Sequence, residues 1–453
     1  MTLLVKLKRR YPDRVFLLVG NRDQNKLRFL SELTEHDLHF GIPPLPPGVT
    51  GAGKDCRQYI KELAVKQGLA PSPDDVPDSV ISEINTMANR LRWILDCTMG
   101  SIGDFEFRRQ ELALLAGKDL GDIDDNAVVA SFYGSVADDD GFMRQYLQLG
   151  QLAVVIDCTL FVHGGVYGVF DKTKGIESCL GLVPVGDDLA NQVHVADVDQ
   201  WIIQLNQWMS SQVASCLTNP AYSADRSSRA GQSFFLYGSY SPYPSVIMAR
   251  MLDESSMPLP VPQDIASKLK NWGIHRVVCG HTPHGNAPTV TTSHDVQVCH
   301  ARSQLLHAST HPFNHPSCST NRLALQIVMA DTSFSDMSSK DRPTDNRGVA
   351  ACEVLICGPV LHVHGNLQDG AAVDFVTVAG REKFQPTAAV LNGSSMSVIA
   401  LEHVQGDDCI GRRTQDGYFV KSATADQRYS LCKVSGYKYE YTYVDRSELT
   451  SLL

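Results

Sequence analysis

The chain has 453 residues, 43% hydrophobic and 20% charged, with net charge -10 and an isoelectric point near 5.8. This is ordinary globular composition, enough for a large core or two domains. No basic block stands out, so neither nucleic acid nor an anionic membrane is an expected partner, and no apolar run approaches the roughly 20 residues of a membrane span.

The basic start, Met1 to Arg10, carries no apolar h-region and no cleavage site, so no signal peptide is expected. The 12 Cys are scattered without a C-x-x-C pair and read as reduced, mostly buried thiols. Together these features predict a cytoplasmic protein.

In chain order, Leu3 to Tyr11 reads as a basic amphipathic helix and Val15 to Val19 as a buried strand. Gly20-Asn21-Arg22-Asp23 follows, then a helix from Gln24 to about Leu33. Residues 36 to 78 are loop-rich, with Pro43-Pro44-Leu45-Pro46-Pro47 at their centre. Asp78 or Ser79 is placed to cap a helix carrying Ile84, Met87, Leu91 and Ile94 at helical spacing. Another helix is expected over Phe105 to Leu115, so 24 to 148 reads as a mainly helical insertion. Phe142, Tyr146 and Leu149 share a helical face. Strands follow at Leu152 to Ile156 and Thr159 to Val162, the second running into His163-Gly164-Gly165.

Helices are expected over 187 to 216 and 241 to 252. The strand Arg276 to Cys279 enters Gly280-His281-Thr282-Pro283-His284-Gly285, and strand-like runs follow at 325–329, 352–356 and 360–363. The last eighty or so residues are β-rich. Asp416-Gly417 signals a turn, and Tyr437, Tyr439, Tyr441 and Tyr443 alternate with polar residues as in a strand. Residues 294 to 323 hold five His and two Cys with weak periodicity. Their spacings fit no common zinc pattern, so a disordered insertion or translated non-coding sequence is favoured over a metal tract.

Three motifs, G-N-R-D at 20–23, H-G-G at 163–165 and G-H-T-P-H-G at 280–285, each follow an expected strand. Ligands in open α/β sheets gather at the carboxyl ends of strands, and glycine lets backbone approach closely. Asn21, His163 and His281 then offer one amide oxygen and two imidazoles, a set suited to Mn, Fe or Zn. Each motif alone is weak; the three in this order are more specific.

The order G-N-H-[DE], H-G-G, G-H-T-P resembles that of calcineurin-like metallophosphoesterases. The branch of the Ser/Thr phosphoprotein phosphatases and dinucleoside tetraphosphatases is the nearest in pattern, and Leu7-Lys8-x-x-Tyr11-Pro12 before Gly20 is similar to its entry helix. The resemblance covers residues 1 to about 35, 145 to 170 and 270 to 365. It implies a four-layer α-β-β-α sandwich over residues 1–368, incomplete at the N-terminus, with a β-rich extension at 369–453. It also implies two divalent metal ions about 3.5–4 Å apart that clamp a phosphate and activate water. Asn21, His163 and His281 would ligate the second ion, and Asp23 would orient position 22. The substrate would be a phosphorylated small molecule, a nucleotide or a phosphoprotein. An acidic chain is compatible with this, because bound ions set the local field.

The sequence departs from the family in two respects. The upstream D-x-H and G-D-x-x-D motifs lie off the N-terminus, so the chain as written is expected to hold ligands mainly for one ion and to be inactive or nearly so. The abrupt start and the His-rich tract also fit a misread gene product. Arg22 stands where the phosphatases have a proton-donating His, and a guanidinium can grip phosphate but cannot give up a proton. His284 is then a candidate ligand or acid, or it lines the pocket.

Asp37-Leu38-His39, Gly121-Asp122-Ile123-Asp124 and the P-loop-like Gly48 to Lys54 are decoys by position. Phe107-Arg108-Arg109 reads as a solvated helix face. Asp331-Thr332-Ser333 reads equally as a family-like stretch or a polar turn. The leading expectation is a two-metal phosphoesterase; the alternative is a non-catalytic binding or scaffold protein on the same fold.

Overall fold

In the computed structural model the first helix runs over Thr2–Arg10, with Val5 buried and Lys8, Arg9 and Arg10 in the last turn, where they complement the helix dipole. The structure describes residues 1–39, 55–239, 241–293, 325–332, 350–367, 370–379, 407, 409–424, 426–435 and 438–453. The architecture is mixed α/β, and no helix among the described residues is long and apolar enough to cross a membrane. The His-rich tract, the P-loop-like segment and Ser333 lie outside the described residues.

Contacts divide the chain into two units: Met1–Val154 with Val162–Arg250, and Val155–Phe161 with Met251–Leu453. The boundary expected at 368/369 falls inside the second unit.

In the first unit the expected strand at 15–19 is reduced to one parallel bridge, Leu18 with Gln151. Leu17 and Val19 are buried while Phe16 is exposed, so this stretch alternates instead of being covered on both faces. From Asn21 to Leu149 the described regular structure is helical. The helix expected through Ile94 is broken: Asp78–Ile84 ends at Asn85, and Thr86 caps Met87–Trp93 by accepting from Asn89 N. A hydroxyl at that cap satisfies an N–H that a continuous helix would have bonded.

Buried charge ties this unit together. Glu32, 3% exposed, accepts from Arg28 Nε and Nη2 (2.9 and 2.7 Å) and from Arg229 Nη1 (2.9 Å). Burial pushes its carboxyl up, but Arg28 and then Arg229 outweigh that and bring it down to about 2.

The strands begin with β1 (Ala153–Ile156) and β2 (Thr159–Val162). The first unit adds two hairpins, β3 (Tyr167–Val169) with β4 (Ile176–Ser178), and β5 (Leu182–Val185) with β6 (Asp188–His194). Because β6 takes residues expected to be helical, the following helix starts only at Val198, capped by Asp197, and runs to Thr218. Its Trp201 and Trp208 are buried and donate their indole N–H to Leu182 and Gly186 carbonyls. The helix expected over 241–252 does not form: the Val246 carbonyl is taken by the N–H groups of Gly164 and Gly165, and Ser245 Oγ accepts from Ile247 N.

The second unit is framed by a five-stranded sheet of order β1-β2-β7-β9-β8, with β7 at Arg276–Cys279, β8 at Thr289–Thr292 and β9 at Gln326–Met329. Residues 153–154 of β1 and Val162 of β2 belong to the first unit. β2, β7 and β9 run parallel and β8 is antiparallel to β9. Two three-stranded meanders follow: β10 (Ala350–Cys357), β11 (Val360–Leu367) and β12 (Ala372–Val378), then β13 (Phe419–Ala423), β14 (Tyr429–Ser435) and β15 (Lys438–Val444). Val290 and Val328 of the mixed sheet share one core with Leu361, Val363, Phe375, Val420, Leu431 and Leu449. The β-rich tail thus packs on the same core as β8 and β9. The tyrosine alternation holds in part: Tyr439 is buried, while Tyr443 is exposed.

Candidate functional site

The G-N-R-D motif forms a single helical turn, Asn21–Gln24, with Gly20 as its extended N-cap. Asp23 Oδ2 accepts from Gly20 N at 2.8 Å, closing the turn on itself. Burial raises the Asp23 carboxyl; the Gly20 N–H and Lys26 oppose that. Asp23 therefore shapes the turn that presents Asn21 and Arg22.

Glycine is required at position 20. A Cβ there would lie 2.5 Å from His163 Cε1, so the imidazole rests directly on the Gly20 backbone. His163 Nε2 lies 3.1 Å from Asn21 Oδ1. The H-G-G turn is anchored by Gly164 N and Gly165 N on the Val246 carbonyl, at 2.7 and 3.3 Å. A Cβ on Gly164 would sit 2.3 Å from the Ile247 carbonyl oxygen. Two of the three expected ligands are thereby brought together. Arg22 beside them is exposed, its guanidinium next to Gly100.

His281 belongs to the second unit, in the turn after β7. Its φ of +63° is left-handed, and Thr282 N bonds back to Gly280 O at 2.7 Å. Such a conformation in a non-glycine residue costs on the order of 1–3 kcal/mol and persists only where the surroundings impose it. His281 is half-buried.

His284, expected as ligand, acid or pocket wall, is 1% exposed and lies in the core of the second unit. Its Nδ1 faces Thr289 Oγ1 at 3.1 Å and its Nε2 faces Cys432 Sγ at 3.8 Å. Phe419 and Tyr439 meet its ring edge to face. Burial, then Lys421 and Arg413, hold its imidazole well below the usual range. It packs in this core as a neutral imidazole.

Lys421 on β13 has no counterpart in the sequence reading. It is fully buried, and its ammonium donates to the His284 carbonyl and to Thr289 Oγ1. Burial brings it down to about 7; Cys432 and Cys352 partly oppose the shift. No signal in the sequence distinguishes this lysine from a surface one, because its partners lie on a distant loop.

The decoys have structural roles. Asp37 is buried between Arg90 and Arg226. Asp124 caps the helix Asp125–Ala137 by accepting from Ala127 N. Arg108 and Arg109 are tied to Glu111, Glu106 and Asp125. Thr332 Oγ1 donates to the Ala350 carbonyl. Among the described residues no group of three or more His, Cys, Asp and Glu converges as a metal site.

No family model, curated protein or solved structure matches the chain.

Proposed function

We propose that this chain carries part of the site of a metal-dependent phosphoesterase of the calcineurin-like type, which hydrolyses a phosphate ester or anhydride; with ligands mainly for one ion, the chain as written is expected to turn over little or no substrate. The observation that carries the reading is the 3.1 Å approach of Asn21 Oδ1 and His163 Nε2. Two donors about 2.1 Å from one ion and about 90° apart lie about 3 Å from each other, so the pair fits one edge of a coordination shell. The mixed oxygen and nitrogen set suits Mn, Fe or Zn. A bound divalent ion would supply Lewis acidity and a more acidic water. Arg22, exposed next to Asn21, would neutralise phosphate oxygens, and Asp23 would hold the turn on which both stand. The substrate class is a phosphorylated small molecule, nucleotide or phosphoprotein.

A second reading, a non-catalytic binding protein on this fold, is favoured by His284. The further donor after G-H-T-P is committed to Thr289 and the core. Manganese titration followed by electron paramagnetic resonance tests the first reading. The chain should bind Mn²⁺, and His163→Ala should weaken binding at least tenfold, about 1.4 kcal/mol. Equal binding by the variant would sink the ligand assignment. Absence of Mn²⁺ binding by the unsubstituted chain would favour the second reading.

A further inference from the structure

The outward face of the β10-β11-β12 meander carries an arrangement that the proposed phosphoesterase site does not use. Along β11, Leu361 and Val363 point into the core at 0% exposure, which turns His362 and His364 to the opposite face. In register, His364 lies opposite Glu353 on β10 and Asp374 on β12. His362 Nε2 is 2.6 Å from Asp374 Oδ1, and His364 Nε2 is 3.0 Å from Glu353 Oε2. The two rings are 4.9 Å apart between centroids and tilted by 36°.

A neutral imidazole that donates Nε2–H to a carboxylate keeps its lone pair on Nδ1. That is how metal-ligating histidines are usually held, with one nitrogen on the ion and the other on a carboxylate that fixes tautomer and orientation. Here two such pairs stand side by side on one strand, and two formal negative charges flank them. We propose that His362 and His364 form a surface chelate for one Zn²⁺, Ni²⁺ or Cu²⁺ ion, with Asp374 and Glu353 orienting the imidazoles and water completing the shell. Imidazole selects these metals over Ca²⁺ and Mg²⁺.

The test is Cu²⁺ titration of the untagged chain in a His163→Ala background, by calorimetry and by the nitrogen hyperfine pattern in electron paramagnetic resonance. That background separates this site from the phosphoesterase site, so either proposal can fail alone. His362→Gln/His364→Gln should lose one equivalent of bound Cu²⁺ with an unchanged melting temperature. Asp374→Asn should keep the stoichiometry and bind roughly 10–100-fold more weakly. An unchanged stoichiometry in the double Gln variant overturns the site. Should that variant unfold, loss of the same equivalent in either single variant supports the site, and its retention in both refutes it. An unchanged affinity in Asp374→Asn overturns the orienting role of the carboxylate.

Discussion

Asn21 and His163 are 142 positions apart in the chain, yet Oδ1 and Nε2 come within 3.1 Å because the imidazole lies on the bare backbone of Gly20. The pair therefore depends on a residue that contributes no donor atom. Gly20→Ala would place a methyl 2.5 Å from the ring and push it away from Asn21. Under the proposed function, Mn²⁺ affinity should fall by about tenfold or more, equivalent to about 1.4 kcal/mol. Calorimetry checks this, and thermal melting should show the fold retained.

Gly164→Ala meets a harder obstacle. Its methyl would lie 2.3 Å from the Ile247 carbonyl oxygen, and that backbone cannot turn aside as a side chain can. A loss of about 1–3 kcal/mol in urea unfolding is expected, with weaker metal binding as a consequence.

Glu32 neutralises Arg28 and Arg229 in the buried part of the first unit. Removing its charge leaves two guanidiniums poorly compensated, so Glu32→Gln should cost about 3–5 kcal/mol. The folded value of about 2 lies below the ordinary 4.5. A carboxylate with a depressed value contributes stability that is full above 4.5 and disappears as pH falls through about 2. Urea unfolding of the wild type should therefore weaken across that window, and this component of the acid dependence should vanish in the variant.

Lys421 gives a second window, of the same sign but at higher pH. Its folded value of about 7 lies below the ordinary 10.5, so between these the unfolded chain binds a proton that the folded chain does not. Stability should rise with pH through that range, be fully gained above 10.5, and be lost as pH falls to about 7. Lys421→Met should flatten the rise, measured by urea unfolding at about pH 6 and about pH 9. A slope equal to wild type would show that another group titrates there.

Much of the local structure was legible because it rests on local chemistry. The strand before His163, the strand before Gly280 and the alternating tail strand follow from apolar runs and period-two patterning. The pairing of Arg28 with Glu32 is signalled by its i, i+4 spacing, but the third member, Arg229, is not. The missing helix over 241–252 shows why local pattern fails. Its helical propensity was overridden when the Val246 carbonyl bonded to glycines from a distant turn.

The sequence by itself determined the three glycine-rich turns, the residue types they carry and their order. Only the tertiary structure decided which of those residues meet and which are packed away. Asn21 reaches His163 because Gly20 leaves room for the ring. His284 enters the core because Phe419, Tyr439 and Lys421, all from the C-terminal sheet, surround it. A motif specifies donor atoms, whereas burial and long-range hydrogen bonds determine which donors remain available, and those depend on partners that no local window contains.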